Sequence, residues 1–410
     1  MHHDLAGREA PRELSQRASF WISAGVVAHT LWTSAAPAMT YRLYARDWNL
    51  SNQVTTAIFA IYPIVVVTVL VLFGNLSQAL GRRVTMLLGL MASLAGVVVF
   101  GAASSVTWLL LGRAFMGIGV GLSVAPSTAA LPDFSPAHRV RFASSVATAA
   151  QAFGMTASLL VGGALAQYAP YPTRLCFVLL AGLLSALLVG AWSLPRDVGA
   201  HAGKAWRPVL PSIPRGSLGV FAVSLGSLAS AYTHGAIFLS LGGQVAHDLV
   251  GSSNALVNGA VLALFPVFIG LSGTFARQID LQRAMATGAA ASGLGMALLA
   301  AAVATRSLTL LLLATAVAGT GYGLQVAGGL AIIGHRISSA TRASFLSVIL
   351  LVAYFSMGGV ALVLGAVATE WSLRIAVYLG AASITAMSMA TLAVVHRYFS
   401  KPSDSEGKSA

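Results

Sequence analysis

The sequence predicts an all-α membrane protein of twelve transmembrane helices, arranged as two pseudo-symmetric six-helix bundles. Three observations carry this prediction. First, 57% of the 410 residues are hydrophobic and only 9% are charged, against about 25% charged in soluble domains. Second, the apolar residues fall in long continuous runs. A helix needs about 20 such residues to cross hydrocarbon, where only helices and closed barrels satisfy their own backbone. Third, "LLLGRAFMGIGVGL" (109–122) and "LLLATAVAGTGYGL" (311–324) match at 8 of 14 positions, and "VGGALA" (161–166) falls over "VLGAVA" (363–368) at the same offset of 202 residues.

The elements follow in order. A polar N-terminal tail covers residues 1–18. The first bundle, 19–194, holds helices near 19–41, 54–73, 84–103, 107–130, 142–168 and 173–194. A proline-rich polar linker covers 195–217. The second bundle, 218–396, holds helices near 218–241, 255–276, 284–304, 307–333, 343–368 and 372–395, and a tail covers 397–410. With both termini inside, 18 of the 24 lysines and arginines lie in inner segments, and the outer loops hold five, Arg42, Arg46, Arg174, Arg306 and Arg374. That bias is the positive-inside pattern and predicts cytoplasmic termini. Arg141 and Arg342 open helices 5 and 11 at nearly the same point of each repeat. Parallel six-helix repeats about an axis normal to the membrane are the plan of one large class of transporters.

Several functions are excluded or unsupported. The net charge of +13 is scattered over many inner loops and reads as topology, which argues against nucleic acid. Cys176 is the single cysteine and lies in an apolar run, so neither a disulfide framework nor a thiolate metal cluster is available. No His/Glu metal spacing occurs, and no metal or cofactor is expected. "GIGVG" (117–121) follows no strand and lacks the spacing of a dinucleotide loop. "GLSVA" lacks the second glycine of a nucleophile elbow. No enzyme is expected.

The stretch "GNLSQALGRR" (74–83) interrupts the apolar chain between helices 2 and 3. It resembles the signature loop of the major facilitator superfamily, Gly-x-Leu-[Ala/Ser]-Asp-[Arg/Lys]-x-Gly-[Arg/Lys]-[Arg/Lys], through Gly74, Leu76, Ser77, Gly81, Arg82 and Arg83. Gln78 and Ala79 stand where that pattern has an acid and a base. The resemblance implies a conformational gate in which Arg82 pairs with Asp133 at the end of helix 4, with one charge fewer at Gln78. Helix 4, "GRAFMGIGVGLSVAPS", resembles the family motif of an arginine followed by a glycine-rich helix. Helix 5 carries "GMTASLLVGG" (154–163), a partial match to the Gly-x-x-x-Gly-Pro-x-x-Gly-Gly of the family's proton-driven drug exporters: Gly154, Gly162 and Gly163 are kept, and Ser158 and Leu159 replace Gly-Pro. Gly117, Gly121, Gly154, Ser158, Gly162 and Gly163 are expected to pack helices closely.

For the substrate site, helix 7 spaces Ser224, Ser227, Ser230 and His234 in one polar stripe, and helix 1 carries His29, Trp32, Thr33 and Thr40. In the superfamily, helices 1, 4, 7 and 10 line a central cavity. Gln151, Asn258, Tyr322, Gln325 and Tyr354 add mid-span polar groups. Arg113 lies within a span, where an arginine either serves function or snorkels to the interface. All 11 acids lie outside the membrane centre, so the buried carboxylate of a proton antiporter is missing. His29 and His234 are then the proton-coupling candidates, or else hydrogen-bonded core residues. The expected protein is a monomeric secondary-active transporter of the bacterial inner membrane, in contact with the lipid bilayer. It exports small amphipathic compounds by alternating access with proton coupling. An importer or facilitator of a metabolite and a non-transporting receptor are the alternatives.

Overall fold

The computed structural model describes residues 14–136, 140–195 and 212–400. Among these, twelve long helices follow one another without a strand: α1 Gln16–Ala35, α2 Asn52–Phe73, α3 Arg82–Gly101, α4 Val106–Asp133, α5 Val140–Tyr168, α6 Pro172–Trp192, α7 Leu218–Phe238, α8 Ala255–Phe275, α9 Leu281–Thr305, α10 Leu308–Arg336, α11 Ser339–Glu370 and α12 Leu373–Phe399. Most of both expected tails and of the linker lie outside the described residues, and α1 and α12 extend into the tails, starting at Gln16 and ending at Phe399.

Eleven of the twelve are long and apolar enough to cross a membrane, and α1 is the exception. The physical reason is that α1 buries its polar side chains inside the protein: Ser19, Ser23, His29, Thr30 and Thr33 are at most 1% exposed. Its lipid-like face is therefore narrow. Helix 1 also ends earlier than the sequence predicts, at Ala35 rather than near residue 41. Pro37 has no N–H to continue the ladder, the chain turns, and a short helix Tyr41–Asp47 follows. Likewise α7 stops at Phe238, and a short turn leads to a π-helical turn, Val245–Leu249.

The repeat seen in the sequence is a repeat of packing. Gly117 and Gly121 press α4 against α2, where an added Cβ would meet the Tyr62 carbonyl at 3.0 Å and Val69 at 2.8 Å. Their counterparts Gly319 and Gly323 press α10 against Phe265 and Ile269 of α8. Gly119, between them, faces α3, with the Gly89 carbonyl at 2.5 Å from its would-be Cβ; Gly321 faces α9, with the Gly288 carbonyl at 2.9 Å. Without a hydrophobic force between helices in lipid, such close backbone approach is what holds a bundle. One 14-residue motif thus sets the same three-helix crossing twice.

The two bundles meet along α5–α8 and α2–α11. At the ends away from the termini both contacts are tight. A Cβ on Gly163 of α5 would meet the Ala255 carbonyl at 2.7 Å, Gly259 faces it from α8, and Gly365 of α11 lies against Thr56 of α2. The Gln53 amide donates to Thr369 Oγ1 at 2.9 Å, and the Ala255 amide to Gln167 Oε1 at 2.7 Å. A polar latch joins the short segments that follow α1 and α7: Arg42 Nη2 lies 2.9 Å from His247 Nε2, and Arg42 Nε lies 3.6 Å from Asp248 Oδ1. This far face is closed. Because the pair is partly exposed, its net contribution is at most ~1 kcal/mol. Asp248→Asn should therefore raise the share of molecules open to the far face by about fivefold or less, measurable as labelling of a cavity cysteine from that side.

Candidate functional site

Between the bundles lies one large cavity of about 740 Å³. It runs from the middle of the protein, at Ser34, Phe59 and Tyr62, to the inner ends of α8 and α10, at Arg277 and His335. It therefore opens toward the face that carries the start of α1 and the end of α12. Its central wall is aromatic. Tyr232 packs edge-on to Tyr354 at 4.8 Å and stacks with Tyr322 at 6.0 Å, and Phe265 meets Tyr322 at 5.6 Å. Thr30, Thr148 and Gln151 supply weak polar groups, and no carboxylate lines the cavity among the described residues. Rings with one polar tip and no fixed negative charge suit a molecule that is largely apolar with a few polar atoms.

Of the residues expected to bind substrate, Gln151, Tyr322 and Tyr354 line this cavity. The helix 7 stripe turns away from it into the second bundle: Ser230 Oγ lies 3.1 Å from Ser388 Oγ of α12, and Ser227 packs on Gly329 of α10. The cavity takes Tyr232 and Gly235 from α7 instead, with Leu239 just past its end. A stripe at spacing three and four specifies one face of a helix but not which of several neighbours that face meets. Gln325 donates to Ser292 Oγ (2.7 Å) and the Gly288 carbonyl (3.2 Å) within the second bundle. Asn258 donates to the Ser252 carbonyl at 3.0 Å near the start of α8. Trp32 offers its carbonyl to Ser158 Oγ at 3.1 Å, and Thr33 is fully buried beside it. Gly154 faces the Ala28 backbone and Gly162 faces Met39, so the helix 5 small residues do pack against α1 and its extension.

Both candidate histidines are fully buried. His29 Nδ1 donates to the Val26 carbonyl, and its Nε2 lies 3.4 Å from Ser93 Oγ of α3, away from the cavity. His234 Nδ1 donates to the Ser230 carbonyl at 2.9 Å. That fixes Nε2 as the acceptor nitrogen when the ring is neutral, and Nε2 has no partner. Phe238, Phe265 and Tyr322 enclose the ring at 6.2–6.5 Å between centroids, and the last two line the cavity.

Arg113 is 0% exposed and does not snorkel. Its guanidinium lies 4.3 Å from the Tyr62 ring centroid and donates to the Ser34 carbonyl at 3.1 Å. At the loop, Arg82 and Asp133 form an ion pair, and Arg82 Nη1 also donates to the Ala129 carbonyl at 2.5 Å. Arg83 stacks over Trp192 at 5.8 Å. Gly81 has φ of +82°, a conformation that favours glycine. Gln78 sits in the short helix Leu76–Leu80 and Gly74 caps the end of α2. Thr30, Ser34, Phe59, Tyr62, Thr148, Tyr232, Phe265, Arg277 and His335 were not legible as wall residues, because each is an ordinary mid-helix or helix-end residue in sequence.

The sequence model of the Major Facilitator Superfamily matches residues 21–279, more than half of the chain. The chain belongs to that superfamily. Its fold is similar to that of the POT family transporter PepTSo, with a TM-score of 0.75 at 14% identity over 96% of this chain and 99% of that one. The nucleoside transporter NupG gives a TM-score of 0.73 at 13% identity over 93% and 100%. In sequence, the chain is 29% identical over 181 residues to the puromycin resistance protein pur8 of Streptomyces alboniger, 43% of this chain and 35% of that protein. It is 42% identical over 62 residues to the sugar transport protein MST7 of Oryza sativa subsp. japonica, 15% and 12%. The chain thus spans about a third or less of the length of these curated relatives. This membership and this fold are those of membrane transporters.

Proposed function

We propose that this transporter exports small amphipathic organic compounds by alternating access, driven by a proton gradient. The observation that carries the reading is the cavity: an aromatic chamber of about 740 Å³, with no acid among its described lining residues, at the meeting of two packed bundles. The bias of 18 to 5 in basic residues supports a cytoplasmic face for the termini, so the described state is open inward. Its partial likeness to a puromycin resistance protein supports the outward direction. A single chain supplies both walls, which supports a working monomer, and a bacterial inner membrane provides the gradient.

For coupling, His234 is favoured over His29. Its free Nε2 sits behind the aromatic wall that a substrate touches, whereas both nitrogens of His29 face groups of its own bundle. A proton taken by His234 would place a charge behind the aromatic wall and bias which face the cavity opens to, which is the coupling that exchange requires. In inverted vesicles with an imposed proton gradient, accumulation of amphipathic dyes and antibiotics is expected in wild type and abolished by a protonophore. His234→Gln should lose gradient-driven uptake while still equilibrating dye, and His29→Gln should retain it. Uptake that ignores the gradient in wild type would replace the exporter with a facilitator.

A further inference from the structure

Arg113 is the one fully buried arginine side chain among the described residues, and no acid answers it. The ion pairs there join Arg42 to Asp248, Arg46 to Asp47 and Arg82 to Asp133. Arg113 spends one nitrogen on the Ser34 carbonyl and presents its flat face to Tyr62, with Phe59 at 6.0 Å. Its Nε and Nη2 have no partner, and the nearby hydroxyl of Tyr41 is likewise buried and unpartnered. A guanidinium enclosed in a low-dielectric interior without a counter-charge is costly, and neighbouring carbonyls and rings offset only part of that cost. The three residues that pack around it, Ser34, Phe59 and Tyr62, also line the deep end of the cavity. At the other end, the basic side chains in the lining are Arg277 and His335. Among the described residues, the path from mouth to roof thus carries basic groups at both ends and no acid.

Resting on the export reading, we infer that the transported compounds carry a single negative charge, a carboxylate foremost, and that Arg113 holds it. The apolar body lies against Tyr232, Tyr322 and Tyr354, and the acid group reaches Nε and Nη2 when Tyr62, which touches both cavity and guanidinium, shifts aside. Arg277 at the mouth draws such anions in, since a low-dielectric cleft focuses the field of the charges that line it. A planar guanidinium edge with two free donors matches a carboxylate's two oxygens.

The test uses the full chain in lipid nanodiscs and a matched pair of probes, 1-naphthoate and 1-naphthamide, with titration calorimetry in a dilute zwitterionic buffer without added chloride or carboxylate. Wild type should bind the acid about tenfold to a hundredfold more tightly than the amide, the range for hydrogen bonds to a charged group. Arg113→Gln should bring the two affinities together, chiefly by weakening the acid's. Arg113→Met should raise the Tm of the ligand-free protein, since an unanswered buried charge is removed. Equal affinities in wild type, or a preference for the acid that survives Arg113→Gln, would overturn the inference while the export reading stands on the amide's binding. Chloride that raises the Tm of wild type but not of Arg113→Gln, without any preference for naphthoate, would assign the site to a free ion and equally overturn it. If neither probe nor any neutral amphipathic dye binds, the export reading fails and takes the inference with it.

Discussion

Gly119→Leu is expected to prevent the protein from accumulating in a folded state. An added Cβ at this position points at the Gly89 carbonyl, 2.5 Å away, and at Ser93 of α3. Neither neighbour can rotate out of the way, because the first is backbone and the second lies on a fully buried helix face. Overpacking a well-filled core costs ~1–3 kcal/mol even where side chains can adjust. Four added carbons against backbone should exceed that range, a large fraction of the ~5–15 kcal/mol that separates folded from unfolded states. Gly321→Leu should behave alike, with the Gly288 carbonyl at 2.9 Å and Ser292 in the role of Ser93. Leucine at Gly182, where a Cβ meets nothing within 4 Å, is the control and should be silent. Yield of monodisperse protein after detergent extraction, with Tm, checks all three. Wild-type yield for Gly119→Leu would show that the α3–α4 contact is looser than described.

The second large effect is a block of transport with the fold intact. Gly163 and Gly259 meet across the α5–α8 contact, where the Leu159 carbonyl is 2.5 Å from a Cβ on Gly259. This contact joins the two bundles at the far face, so it must open for the cavity to reach that side. Gly163→Leu leaves each bundle's interior untouched and obstructs only the closed far face. A clash of ~3 kcal/mol confined to one state leaves about one molecule in a hundred there. Turnover should fall on the order of a hundredfold. The check is a thiol at Gln151 of the cavity wall, in a background where buried Cys176 is replaced by serine. A membrane-impermeant maleimide should label the parent from the face of the termini and Gly163→Leu from the opposite face. Unchanged sidedness with normal turnover would mean that this crossing does not part during transport.

The division between what could be read early and what could not runs along physical lines. Twelve helices, the helix 2–3 loop and the repeat are written in local composition: hydrocarbon demands long apolar runs, and a glycine every second or fourth position permits close crossings whatever lies opposite. Arg82 finds Asp133 because a short loop leaves it little else to reach. The 202-residue offset carried over to packing, since Gly119 and Gly321 each meet the helix before their own.

The wall of the cavity is a different kind of fact. Ser227, Ser230 and His234 share a face with a clear period, yet that face meets α10 and α12, while Tyr232 beside them meets the cavity. In a soluble protein, polarity would have pointed outward. In a membrane bundle, a buried polar stripe is equally at home against another helix, so periodicity gives the stripe without its direction. Sequence alone therefore determined the number of helices, their duplication and the glycine crossings, because each depends on residues near one another in the chain. The rotation of α7, the solitude of Arg113 and the free nitrogen of His234 depend on which distant helices stand opposite, and only the tertiary structure decided them.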